Sequence, residues 1–218
     1  MIEQIPHIIS PLSAGWCGWT LFALFLCAIL SELMQPGVII QAHSSLFAHT
    51  DRTYKDAPTN TLGQMAITIF RIGTLAIAIC LSFYTGGPFR FVSFAAISGL
   101  ILVLLLIKML CNSLLDYTFS LSRRFMPMYE QYGNMATIAS YILYPCLLIM
   151  LRIGKPEWVI WVLGGTTILF LLMCIYRMAR TYIQSPMAIV YVALYLCTME
   201  ALPLGILFYL SSKIILYI

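Results

Sequence analysis

Residues 91–110 read F-V-S-F-A-A-I-S-G-L-I-L-V-L-L-L-I-K-M-L, with one charged side chain, Lys108, and no proline. As a helix rising about 1.5 Å per residue, such a run is about 30 Å long, the thickness of a bilayer's hydrocarbon core. Lipid offers the backbone no hydrogen bonds, so a segment that crosses it must satisfy each N–H and C=O within its own helix. Five further runs share this character, at about 16–34, 65–85, 134–151, 157–176 and 186–210. The fold expected is all-α: a polytopic transmembrane helical bundle of about six spanning helices, a single integral membrane domain over 1–218 with the lipid bilayer as its solvent.

Only 9% of the residues are charged and 61% are hydrophobic, whereas an ordinary soluble domain carries about 25% charged residues. The chain cannot cover a water-facing surface. Its formal net charge of +4 comes from Lys and Arg scattered through short connections. No tract follows a phosphate backbone, so nucleic acid is not an expected partner. The seven cysteines fall at wide spacings, nearly all in apolar runs, with no C-x-x-C pair and no adjacent histidine; they read as small apolar side chains with reduced thiols. His43 and His49 read as solvated side chains of a hydrophilic connection, and His7 stands alone. No metal site and no cofactor is expected. The first 16 residues lack Lys and Arg, so the first run does not have the basic start of a secretory signal and is expected to be retained as a helix.

Gly86-Gly87-Pro88 and Gly154-Lys155-Pro156 break the second and fourth runs, and Arg123-Arg124 with Met126-Pro127 separates the third from the fourth. The third run extends as an amphipathic stretch toward Leu121. The link from Gln35 to Gln64 is the one long connection: Val38 to Ala48 is mildly apolar and fits a membrane surface, and Thr50 to Asn60 is hydrophilic. The first, third and fifth connections with their span ends hold Arg52, Lys55, Arg71, Lys108, Arg123, Arg124, Arg177 and Arg180; the opposite side holds Arg90, Arg152, Lys155 and Lys213. The positive-inside rule then places both termini outside the cytoplasm, in the periplasm.

Glu200 stands inside the last run, in A-L-Y-L-C-T-M-E-A-L-P-L-G, with Pro203 following. A charge at the centre of a spanning helix costs about 2.5–3.5 kcal/mol on insertion scales, so it should face the bundle interior beside a partner. From the face where its helix begins, Glu200 lies about 20 Å deep, Arg71 about 9 Å before its side chain extends, and Lys108 about 6 Å. Arg71 is the first candidate partner and Lys108 the second. Lys108, Asn112, Asp116 and Ser120 repeat every four residues and share one helix face; Gln64, Thr68 and Arg71 form a second polar stripe; Asn134, Thr137, Tyr141 and Tyr144 form a third, with Pro145 loosening the backbone beside it. Together with Glu200 these define an expected buried ionic and polar seam that opens toward the cytoplasmic side. Pro203 and Pro145 are its helix breaks. Glu32, near the end of the first run, reads either as a solvated interfacial carboxylate or as a further member.

Two uses of such a seam stay open. Polar side chains fasten helices together in lipid, and the same groups could bind a proton, an ion, a lipid head group or a partner helix. No H-E-x-x-H, G-x-S-x-G or G-x-x-x-x-G-K-[ST] pattern is present, and no catalytic residue is assigned. The segment Tyr195 to Leu204, Y-L-C-T-M-E-A-L-P-L, resembles the closing block of a family of Bacteroidetes integral membrane proteins, domain of unknown function 4271, whose members also carry a lysine in a middle span, here Lys108, and an I-L-Y-P like that at Tyr144-Pro145. The resemblance implies an inner-membrane location and no activity. The function expected is that of a multi-pass, non-enzymatic inner-membrane protein, an accessory or assembly component of an envelope complex, with a membrane-protein partner or a second copy. The alternative is a small proton- or ion-coupled transporter centred on Glu200.

Overall fold

The computed structural model describes residues 15–37, 61–83, 90–119, 122–153, 158–182, 198 and 201–217, with the backbone alone at 112, 115–119, 122–131, 177–182 and 217. Among the described residues the regular structure is helical. In chain order the helices are α1 (Gly15–Met34), α2 (Thr61–Ser82), α3 (Phe91–Phe119), α4 (Ser122–Ile153), α5 (Val159–Tyr182) and α6 (Leu202–Tyr217). Five of them contain stretches long and apolar enough to cross a membrane: Gly15–Met34, Thr61–Ser82, Phe91–Cys111, Tyr132–Ile153 and Val159–Tyr176.

The bundle is organised around α2, which packs against each of the other five helices. Its sequence explains the position. Gly63, Ala66, Gly73, Ala76 and Ala78 are small and buried, and small residues let neighbouring backbones approach closely where lipid supplies no hydrophobic drive. From Ala76 to Leu81 every side chain is buried, on all sides of the helix, as expected of a core helix that is apolar all round. The approach to α1 is close: Leu24 covers Gly73 so that a Cβ on the glycine would overlap the leucine Cδ2 and lie 3.1 Å from Cδ1.

The outer helices bury one side and leave the other apolar and exposed. Leu102, Val103, Leu105, Leu106 and Ile107 on α3, and Trp161, Ile168 and Leu172 on α5, are exposed, the surface a bilayer would wet. Ring contacts align one end of the bundle. Trp16, at the start of α1, meets Phe91 and Phe94 at the start of α3, with centroids 5.5 and 5.9 Å apart, and Phe83, just past α2, meets Phe208 of α6 at 6.3 Å.

Several helices differ in length from the hydropathy reading. Helix α4 begins at Ser122, so Arg123-Arg124 and Met126-Pro127 do not separate two helices but lie within the first turns of one. Pro127, the sixth residue of α4, has no N–H to give the Arg123 carbonyl, so the helix forgoes one backbone bond in its second turn. Helix α3, by contrast, continues past the apolar stretch that ends at Cys111 to Phe119, in keeping with the amphipathic extension expected toward Leu121. Helix α6 runs seven residues beyond 210; Ser212 Oγ donates to the Tyr209 carbonyl at 2.7 Å, and Lys213 Nζ stands 5.9 Å from the Tyr209 ring centroid. Gly86-Gly87-Pro88, Gly154-Lys155-Pro156, the connection 38–60 and residues 186–197 lie outside the described residues, as does Glu200.

Candidate functional site

The polar side chains of α1, α2 and α4 gather at the end of the bundle away from Trp16, and Arg71 stands among them. It is half-buried on α2, one turn after Ile67 and Thr68. Its Nε donates to the Ile67 carbonyl at 3.3 Å and its Nη2 to Thr68 Oγ1 at 3.0 Å, which aims the guanidinium plane across the helix boundary. Nη1 then donates to the backbone carbonyl of Gly133 on α4 at 3.0 Å. That residue's lack of a side chain leaves room: a Cβ at position 133 would stand 3.4 Å from Nη1. The Gly133 carbonyl also accepts from Thr137 Oγ1 at 2.8 Å. A planar, permanently charged fork suits such multiple donation, and a lysine ammonium would not reproduce it.

The bonds continue toward α1. Thr68 Oγ1 donates to the Gln64 carbonyl at 2.8 Å, and Gln64 Nε2 donates to Gln35 Oε1, just past the end of α1, at 3.0 Å. Gln35 is nearly buried, and its N–H caps the helix by donating to the Ser31 carbonyl at 3.0 Å. Glu32 is half-buried here. Its Oε1 accepts from the N–H of Gly37 at 2.8 Å, and its Oε2 is buried without a hydrogen-bond partner. Gly37 has φ of 85°, the left-handed geometry that glycine adopts without strain and that commonly closes a helix. Glu32 is thus engaged in ending its own helix rather than free in water.

Further into the bundle, Phe70 of α2 lies between two tyrosines of α4, with centroids 5.1 Å from Tyr141 and 5.5 Å from Tyr144. The Tyr144 hydroxyl crosses to α1 and donates to the Leu21 carbonyl at 2.9 Å. The Tyr141 hydroxyl lies 3.4 Å from Ser31 Oγ, whose own proton goes to the Ala28 carbonyl at 2.8 Å. Lys108 of α3 reaches α4 differently: its Nζ sits over the Tyr132 ring, 3.3 Å from the centroid. The other side of that contact belongs to α5, where Phe170 meets Tyr132 edge-on at 5.2 Å and Cys174 Sγ lies 3.7 Å from Met135 Sδ.

Of the residues singled out from the sequence, Arg71, Tyr141 and Tyr144 therefore converge on the α1–α2–α4 contact, and Lys108 sits at the α3–α4 contact. Asn112 and Asp116 lie on α3 with their side chains outside the described residues, and Glu200 lies outside them altogether. Pro145 is exposed within α4, and Pro203 is the second residue of α6. Just ahead of it the backbone is π-helical at Thr198 and Ala201. Sequence reasoning passed over Ser31, Gln35, Tyr132 and Gly133. Gly133 gives no side-chain signal, because it acts through its carbonyl; Ser31 and Gln35 were legible only as a polar pair one turn apart at the end of an apolar run.

Chemically, the described groups fasten helices. The hydroxyls of Ser31 and Thr68 give their protons to backbone carbonyls. Among the described residues, no three His, Cys, Asp or Glu side chains converge on a point that could hold a metal ion. Fold and site together define a polytopic helical membrane protein whose polar side chains collect at one end of the bundle. The family model described as Domain of unknown function (DUF4271) matches residues 18–210, and the chain belongs to that family. No curated protein and no solved structure matches the chain.

Proposed function

We propose that this chain is a non-enzymatic, multi-pass protein of the bacterial inner membrane that supports or assembles an envelope complex, with its polar end as packing and docking surface and both termini in the periplasm. The observation that carries this reading is the use to which Arg71 is put: its guanidinium holds α2 to the Gly133 carbonyl of α4. The engagement of Gln64 with Gln35 and of Tyr144 with Leu21 supports the same reading, since these bonds also join helices. Glu200 completes the seam in this proposal, with Arg71 as its first partner and Lys108 as its second.

A second reading, a small proton- or ion-coupled transporter centred on Glu200, is favoured by one observation. The backbone is π-helical at Thr198 and Ala201, on either side of Glu200, and Pro203 follows. Turns of π-helix frequently accompany functional positions.

The test is purification of the tagged full chain in mild detergent, alongside Glu200→Gln. The docking reading expects a second membrane protein in fixed stoichiometry that is lost when Arg71 is replaced by Ala. A chain that purifies alone, and that carries a pH-dependent ion flux in proteoliposomes which Glu200→Gln abolishes at unchanged protein level, overturns it for the transporter.

A further inference from the structure

The glycine contacts of α2 fix its register against α1. At the start of α2, a Cβ on Gly63 would stand 3.5 Å from Met34 Cβ at the end of α1; ten residues further on, a Cβ on Gly73 would meet Leu24. Ten residues forward on one helix thus match ten residues back on the other, so the two run antiparallel and in step. The levels between and beyond these contacts agree with that register. Ser31 and Ala66 share one level and Leu21 and Ala76 another, and all four are buried.

Seven residues make close to two full turns and return to nearly the same helix face. The next residues on the shared stripe are therefore Cys17, seven before Leu24, and Cys80, seven after Gly73. Both are buried, Cys17 completely, and both belong to the same core cluster. The register sets the two side chains against each other across the α1–α2 contact, and a separate observation agrees: Cys80 interacts electrostatically with Cys17. Both thiols are free in the structure. Cys17 is the third residue of α1 and Cys80 the third from the end of α2, about 3 Å from those helix ends, at the end of the bundle marked by Trp16. Nothing stands within 4 Å of a would-be Cβ at Gly15 or Gly18, so the first turn of α1 has open space on its outer side.

We infer that Cys17 and Cys80 form a redox site, a dithiol that closes into a disulfide tying the first turn of α1 to the last turn of α2. A lone buried cysteine is a small apolar filler; two that face each other can exchange with a disulfide oxidant. One thiolate attacks a sulfur of the oxidant, forming a mixed disulfide and releasing one thiol, and the second thiolate then displaces the oxidant's other half. Two protons and two electrons pass to the oxidant, which leaves as two thiols. Because both cysteines are covered, the oxidant reaches them when the first turn of α1 opens, and the closed bridge is shielded from reductants in the same way. The supply of oxidant rests on the proposed periplasmic placement of the termini, since disulfides form and persist in that compartment. The bridge fastens the open end of the α1–α2 hairpin, opposite the chain connection that joins its other end.

Peptide mapping by mass spectrometry tests this on the purified full chain in detergent. The chain is treated with diamide, a small neutral diazene that takes up both hydrogens, and remaining thiols are capped with a maleimide. The expected product is a peptide pair linked through Cys17 and Cys80 within one chain, lost on reduction and in Cys17→Ala and Cys80→Ala, and kept in Cys27→Ala. Maleimide on both Cys17 and Cys80, even after treatment just below the melting temperature where the first turn opens freely, overturns the inference. A link to a different cysteine, or between two chains, overturns it as well. Capping in intact cells separates the site from the orientation: a pair that closes with diamide but is reduced in cells upholds the dithiol and overturns the periplasmic placement of its end.

Discussion

Replacing Gly73 by Ala adds one methyl group where α1 lies close against α2, and the structure sets the size of the penalty. The new Cβ would overlap Leu24 Cδ2, with Cδ1 at 3.1 Å and Cγ at 3.3 Å, where carbon atoms ordinarily rest about 3.5–4.0 Å apart. Leu24 cannot swing into solvent, being only 4% exposed. Either its side chain leaves its rotamer, at about 0.5–1.5 kcal/mol, or α1 moves off α2, with overpacking costing about 1–3 kcal/mol in all. Against this stands the gain of about 0.5–1 kcal/mol when a helical glycine becomes alanine. The net loss expected is about 1 kcal/mol, a fall of about 2–4 °C in the melting temperature of a chain this long. Circular dichroism of the purified protein in detergent reads it. Gly99 and Gly165 are exposed helical glycines with nothing within 4 Å of a would-be Cβ, so alanine there should be neutral or stabilising. Leu24→Ala alone leaves a cavity, yet combined with Gly73→Ala it should lose less than the sum of the two changes. If Gly73→Ala behaves like Gly165→Ala, and its effect adds to that of Leu24→Ala, the close α1–α2 packing is refuted.

Tyr144→Phe removes the hydroxyl that donates to Leu21 but leaves the ring against Phe70; the expected cost is about 0.6–1.7 kcal/mol, read as a lower melting temperature, and Tyr141→Phe should cost less because its hydroxyl stands 3.4 Å from Ser31. Tyr132→Leu removes the ring face beneath Lys108 and should lower stability more than Tyr132→Phe, which keeps the face; equal losses from both would refute the ring's hold on the ammonium. Reporter fusions at either end should report the periplasm, and a cytoplasmic signal from both would reverse the proposed orientation.

Helix positions were legible because hydropathy sums over about 20 residues and tolerates local irregularity. Helix ends were less so: Met126-Pro127 looks like a break, yet α4 carries it in its first turns. The central place of α2 was not read from its hydropathy, because every run is apolar; the signal was the spacing of Gly63, Ala66, Gly73 and Ala76, which marks a face open to close neighbours. Arg71 could be found as a charge inside a span, but not its hold on α4, since a backbone carbonyl leaves no trace in residue identity. The proposed pairing with Glu200 rests on depth alone.

The melting temperature of Arg71→Lys against Arg71→Ala, in the purified full chain, tests most directly whether the polar end is an interhelical fastening. One ammonium cannot make the three bonds to Ile67, Thr68 and Gly133 that the guanidinium makes. Lys should therefore melt nearly as low as Ala, with both below the parent by about 4–8 °C for a loss of about 2 kcal/mol. Variants that melt with the parent would contradict the account, because Arg71 would then be holding nothing.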